Sequence, residues 1–590
     1  MLLLAATSGL AQEQPAILPP LQPVTPEMQA PAANAPESAV TTVHGVVRNA
    51  ATGEPLPRAL VRIEGDAETG TLTDSEGRFE LPGVPVGPQM IQIRKPGFHD
   101  RPYASEDVGY QGDGPAHNVL LVAEMPDLDF ALSPISAIRG RVELSTGDPG
   151  QGITLTLLKQ MVRNGRAVWA QNGTAKTNGD GAYRFANLPA GVYALYTQPT
   201  LESEPAVAVS APGAKIVREG YASVFYPGVR EFSGATHIRL RAGQQSEANL
   251  LLTPEPFYTV TATAILPNGK PYTGNSASDG AQLSAIMVLD SADRETGFGK
   301  RFDQVTRTFQ TNLPDGIYTF LVRAELGKTN FQGQFDPGGR NGEHTPLTGL
   351  AEFSVDGHPV TNLTMPLAIA PSWPIHLHAV RTNAHANSNP SEELQNLVTV
   401  TATDAVEAPA DGTSAEARAG YAGSSDLLEL NPVRIGPNWI STEVNDRSLC
   451  VDSFTAGGIN LAREPLNVAL GASPPPMELT LRDDCAKLAL TLPPALSEFL
   501  PGDEPFYTVY VVPDFDTTAD IPPMNMHPSS GTTLTVDGLT PGNYHVYVFD
   551  RPVRLEYRNL EVIAALPKPG QAVTLTAGST SNLVLEVPER

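Results

Sequence analysis

Cysteine is nearly missing from this chain: among 590 residues only Cys450 and Cys485 carry a thiol. Neither has a histidine arrangement nearby, so a cysteine nucleophile has no support. Basic residues are short as well, with 39 Lys and Arg against 64 Asp and Glu and a net charge of −25. Nucleic acid and anionic membrane surfaces both need clustered cations, so neither is an expected partner. Apart from the start of the chain, long hydrophobic runs are absent; no stretch reaches the roughly 18 apolar residues of a transmembrane helix. Aromatics make up only 6% of a chain that is 41% hydrophobic, a balance that suits small β-sandwiches with aliphatic cores.

Glycine (52) and proline (55) are plentiful, yet stay below the share expected of a low-complexity chain, so most of the protein should fold. At roughly 100–200 residues per domain, the length allows three to six domains. Met1-Leu2-Leu3-Leu4-Ala5-Ala6 followed by Thr7-Ser8-Gly9-Leu10-Ala11 reads as the end of an export signal, residues 1–11, cleaved after Ala11. It lacks a basic start, so the true start codon is expected upstream. Residues 12–40 carry Pro15, Pro19, Pro20, Pro23, Pro26, Pro31 and Pro36 and read as a disordered, extended tether. With export, the cysteine pair predicts one disulfide, worth on the order of 3–4 kcal/mol; two buried free thiols are the alternative.

Two signatures recur. The first is a turn entering a strand: Leu188-Pro189-Ala190-Gly191-Val192-Tyr193, Leu313-Pro314-Asp315-Gly316-Ile317-Tyr318 and Leu539-Thr540-Pro541-Gly542-Asn543-Tyr544. Proline presets one turn dihedral and glycine supplies a positive one. An earlier copy has Gln89 at the aromatic position, and another departs further, at Ile435-Gly436-Pro437-Asn438-Trp439. The second signature is a closing strand. It ends near Leu132, Leu252, Met365, Leu481 and Leu585, roughly 105–120 residues apart, the size of one domain. This spacing predicts an all-β chain, a tandem array of about five Ig-like or prealbumin-like antiparallel β-sandwich domains over 41–133, 134–254, 255–370, 371–482 (the divergent one) and 483–590. Proline at the first three joints suits interdomain stops. No 3.6-period apolar stripe is present, and helix is limited to short turns such as Pro390–Leu394.

The stretch from His44-Gly45-Val46-Val47-Arg48, through Thr52-Gly53-Glu54-Pro55-Leu56 and Thr73-Asp74-Ser75-Glu76-Gly77-Arg78-Phe79, to Val84-Pro85-Val86-Gly87 resembles the carboxypeptidase regulatory-like domain, a transthyretin-type β-sandwich. The resemblance is good over about 42–95 and fair over 137–197. Phe225-Tyr226-Pro227-Gly228, and Cys450-Val451-Asp452-Ser453 with Gly457-Gly458, look like segments of large exported repeat proteins of acidobacteria. The resemblance implies fold and location: periplasm, outer cell surface or secreted.

No catalytic residue follows from it. The regulatory-like module accompanies zinc peptidases, whose site begins His-x-x-Glu, and no histidine here has Glu three positions on. A Gly-x-Ser-x-Gly elbow, a phosphate loop and a dinucleotide fingerprint are also missing. His376 and His378 share a strand face but lack a third ligand nearby. Asp74-Ser75-Glu76-Gly77 and Asn178-Gly179-Asp180-Gly181 read as turns rather than calcium loops. No catalytic, cofactor or metal site is therefore expected. Tyr221, Phe225 and Tyr226, with Tyr103 and Tyr110 in a loop, are candidate ligand-contact rings, against core packing as the alternative. The leading expectation is a non-enzymatic structural or interaction module at the bacterial cell envelope, with an unidentified protein or glycan as partner. The alternatives are a carbohydrate-binding protein using sandwich loops, or a hydrolase with a site outside known motifs on a divergent unit.

Overall fold

The computed structural model describes residues 40–65, 70–99, 116–124, 126–202, 218–291, 295–329, 335–336, 345–370, 373–380, 398–405, 416–421, 427–430, 435–469, 475–493, 507–526, 532–550 and 553–588. The expected export signal, all but Val40 of the tether, Tyr103, Tyr110 and the Pro390–Leu394 turn lie outside the described residues. The chain is a tandem β-sandwich array. Among the described residues helix is confined to Ser276–Asp279, Leu560–Ala564 and a 3-10 turn at Phe232–Gly234.

Alternation in the sequence becomes alternation in burial. In the Val40–Asn49 strand, Thr41, Val43, Gly45 and Val47 point inward and their neighbours do not, as a period of two requires. Val43, Val47, Leu81 and Phe130 from one sheet pack against Val61, Ile91, Ile93 and Leu121 from the other. Two sheets again face each other around Ile138 and Leu195 and around Leu488 and Val546, whereas around Val260 and Phe320 and around Ile375 and Leu479 strand pairing joins the layers into one nine-stranded sheet. These are five separate large cores.

Each core is closed in the same way. The first strand runs parallel to the last: Val40–Asn49 beside Leu128–Pro134, Ser136–Leu144 beside Gln245–Glu247 and Leu250–Leu252, and Glu255–Ile265 beside Val360–Ile369. Trp373–Val380 lies likewise beside Met477–Arg482, and Ala486–Thr491 beside Thr580–Val584. The close approach explains a glycine inside a strand. A β-carbon on Gly140 would sit 1.9 Å from the Ala248 carbonyl oxygen.

The recurring tyrosine has a polar task. The Tyr193, Tyr318 and Tyr544 hydroxyls donate to the carbonyls of Pro189 (2.7 Å), Pro314 (3.2 Å) and Thr540 (2.7 Å), each four residues earlier. Each phenol thereby pins its turn to its strand. Burial pushes the Tyr318 and Tyr544 phenols well above their ordinary pKa, so they remain donors. Gln89 does the same work in the first unit, its Nε2 donating to Pro85 at 3.1 Å. In the fourth unit the strand begins at Gly436, so the corner position is Asn438, not Trp439. The Asn438 side chain is buried and donates to the Gly436 carbonyl at 3.0 Å. Tyr544→Phe removes one such bond and strands a carbonyl, so it should cost about 1–2 kcal/mol. A denaturation midpoint unchanged from the parent chain would show that the bond contributes nothing.

Candidate functional site: a three-way junction and an inter-unit cleft

Most chemistry-bearing residues singled out in the sequence serve the fold. Asp74 Oδ1 accepts from the Glu76 and Arg78 amides, and Asn178 Oδ1 accepts from those of Asp180 and Ala182. Both are side-chain-capped turns. Glycine closes each because a β-carbon on Gly77 would lie 2.6 Å from the Val47 carbonyl oxygen, and on Gly181 2.4 Å from that of Val142. His378 pairs with Glu478 across neighbouring strands. Among the described residues no three His, Cys, Asp or Glu side chains gather around a common metal position.

Cys450 and Cys485 form a disulfide, with Cα atoms 5.9 Å apart. Cys485 lies in the link between Met477–Arg482 and Ala486–Thr491, so the bond pins the joint of the fourth and fifth units. Beside it, Arg482 pairs with Asp484 and Asp452. Of the three candidate rings among the described residues, Tyr221 is buried and donates to Glu202 Oε1 at 2.7 Å. Burial, then that bond, push its phenol up to about 12. Tyr226 packs against the second core. Phe225 joins Tyr196, Trp169 and Phe232 in a small outer cluster.

The sequence gives less warning of a junction between units far apart in the chain. Thr154–Arg163 and Arg166–Lys176 form a long hairpin in the second unit, with Asn164 (φ 48°) and Gly165 (φ 70°) at its tip. Asn-Gly favours this turn because both residues take positive φ. The tip inserts between the fourth and fifth units. Arg558 holds it: its backbone N–H donates to the Gly165 carbonyl at 3.1 Å, and its Nε to the Asn164 carbonyl at 3.0 Å. The remaining guanidinium nitrogens donate to the carbonyls of Thr517 (2.6 Å) and Ala519 (3.1 Å). One planar cation thus ties two segments of the fifth unit to the hairpin, a fork that lysine cannot reproduce.

On the other side of the tip, the Arg166 guanidinium lies 3.5 Å above the Trp439 ring, a cation–π contact, and donates to the Ala462 carbonyl at 3.2 Å. Burial, then the nearby Arg558 charge, lower its pKa to about 10, still high enough to keep it cationic near neutrality. Trp439 has turned away from the fourth core to meet it. The fourth and fifth units also bond directly. Thr442 N–H donates to the Thr518 carbonyl at 2.9 Å, and Thr540 Oγ1 donates to the Val451 carbonyl at 2.7 Å.

A second feature lies between the second and third units. The Arg218–Tyr221 strand pairs antiparallel with the start of Glu255–Ile265, and Arg230 forms an ion pair with Glu255. Beside this seam is a cleft of about 400 Å³. Leu158, Tyr196, Phe225 and Phe298 are among its apolar lining, and Glu231, Asp290, Glu295 and Asp315 among its acidic lining. Of the three candidate rings among the described residues, Phe225 alone lines it.

The fold and these features define a multi-unit β-sandwich protein with coupled units. Residues 42–121 match the model of the carboxypeptidase regulatory-like domain. No curated protein matches the chain in sequence. Similar solved structures include the Bacillus anthracis TIE protein, at 10% identity over 69% of this chain and 64% of that one, TM-score 0.15. A streptococcal ancillary pilin matches at 12% identity over 56% of this chain and 99% of its own, TM-score 0.17. The RrgB pilus protein of Streptococcus pneumoniae matches at 8% identity over 77% and 99%, TM-score 0.14. TM-scores this low describe no shared arrangement of whole chains.

Proposed function

We propose that the chain is an exported, non-enzymatic scaffold that serves as a structural or interaction module at the cell envelope. The observation that carries this reading is the three-way junction. It couples the second unit to the fourth and fifth through backbone carbonyls, two arginines and an indole. In this reading the five units span 41–133, 134–254, 255–370, 371–482 and 483–590, and the proline-rich segment before them is a spacer. The Cys450–Cys485 bond supports an oxidising compartment. Fractionation of the source cells, with thiol labelling of the unreduced protein, tests this. Recovery outside the cytosol with both thiols blocked is expected; a cytosolic protein with reactive thiols would contradict it.

Glycan recognition is a second reading, favoured by the place of Phe225 in the cleft wall. Retention on a polysaccharide matrix supports it, and failure to bind any of a broad glycan panel removes it.

A further inference from the structure

We infer that the hairpin of the second unit is a reversible latch under tension. It closes the second to fifth units into a ring, and its release lengthens the protein while every sandwich stays folded. The ring has three corners: the second unit, the third, and the fourth and fifth held as a pair. The second is joined to the third by the pairing of Arg218–Tyr221 with the start of Glu255–Ile265 and by the Arg230–Glu255 ion pair. The third runs covalently into the fourth. The fourth and fifth are held together by the Cys450–Cys485 bond, by Thr442 N–H on the Thr518 carbonyl and by Thr540 Oγ1 on that of Val451. The hairpin tip completes the circuit, joining Asn164 to Arg558 across 394 residues of sequence.

The tip is the side of the ring built to open. Pairing of Thr154–Arg163 with Gly191–Thr197 stops at Lys159, opposite Tyr193. Beyond that point, among the described residues, 160–163 and 166–169 pair in the ladder only with each other. The result is a two-stranded arm reaching roughly 13 Å past its sheet, at about 3.4 Å per residue. A ribbon of two strands is marginal by itself. Its tip is held by the Arg558 fork, by Arg166 on the Trp439 ring and by the Arg166 bond to the Ala462 carbonyl. Pulling the second and fifth units apart loads these few contacts at the end of the arm. Unfolding a sandwich instead requires breaking whole ladders and exposing a core, so the arm gives way first. An open ring stays tethered through the third unit. The tip and its socket therefore keep a high effective concentration, and the latch recloses when tension falls.

This deepens the scaffold reading but rests on the junction; fractionation, which decides the cellular address, leaves it untouched. The test is to stretch the full-length protein in optical tweezers through peptide tags at its two ends. Before any unfolding, the parent chain should lengthen in one reversible step of up to roughly 35 Å, the diameter of a unit of about 115 residues. Unfolding one such unit adds roughly 350 Å of extended chain, about tenfold more, so the two events are distinct. Gly165→Leu and Arg558→Ala should lose the short step and keep the long ones, which report that the cores are folded. Arg166→Gln, which gives up the contact with the indole, should keep the short step at a lower load. A parent chain without the short step, or the same step at the same load in all three variants, would overturn the assignment.

Discussion

Gly165→Leu should release the second unit's hairpin from the junction while leaving the five cores folded. At this position a β-carbon would lie 2.5 Å from the Tyr557 ring, and φ is +70°. A branched side chain therefore meets two penalties at once: roughly 1–3 kcal/mol of backbone strain and roughly 1–3 kcal/mol of overpacking against a ring with no room to retreat. The clash acts on the docked state alone, because an undocked tip is clear of Tyr557, while the strain weakens the two-residue turn that forms the tip. The variant should show an enlarged radius of gyration in solution scattering and faster amide exchange across Arg163–Arg166. Its far-ultraviolet dichroism should be unchanged. Exchange as slow as in the parent chain would mean that the tip tolerates the side chain and that the junction is not tightly packed.

Arg558→Ala should be comparably severe and act from the opposite side. It deletes the three side-chain bonds to the Asn164, Thr517 and Ala519 carbonyls while keeping the backbone bond to Gly165. Hydrogen bonds from a charged donor contribute about 1.5–3 kcal/mol each, with losses in one network not additive, so a cost of about 3–5 kcal/mol is expected. Arg558→Lys should recover only a minor part, since one ammonium cannot reach three separated carbonyls. Thermal denaturation of the full chain provides the readout. Full rescue by lysine would show that charge, rather than the planar fork, holds the junction.

How far the sequence carries differs between these features. The corners and closing strands are legible because their physics is local: a proline, a glycine and a tyrosine within six residues form a turn and the bond that pins it. Gln89 looks like a lapse from the pattern, yet it donates to the same carbonyl position. Asn438 replaces the ring in the fourth unit, which frees Trp439 to face Arg166. The junction is less legible because Arg558 and Asn164 are 394 residues apart, and no periodicity links them. Asn164-Gly165 between two alternating runs is a strong hairpin signal, but it carries no information about what the tip touches. The aromatic cluster was readable only as a cluster. Tyr221 and Tyr226 turn into the second core while Phe225 reaches the cleft, a division set by strand packing.

The most direct test of the coupled array is a distance between spin labels on Ala167→Cys, beside the hairpin tip, and Glu561→Cys, next to Arg558 in the chain. Both parent side chains are exposed, so the labels should not disturb the cores. A single narrow, short distance is expected, broadening and lengthening when Gly165→Leu is added. A broad, long distribution in the parent chain would contradict the coupling of the second unit to the fourth and fifth.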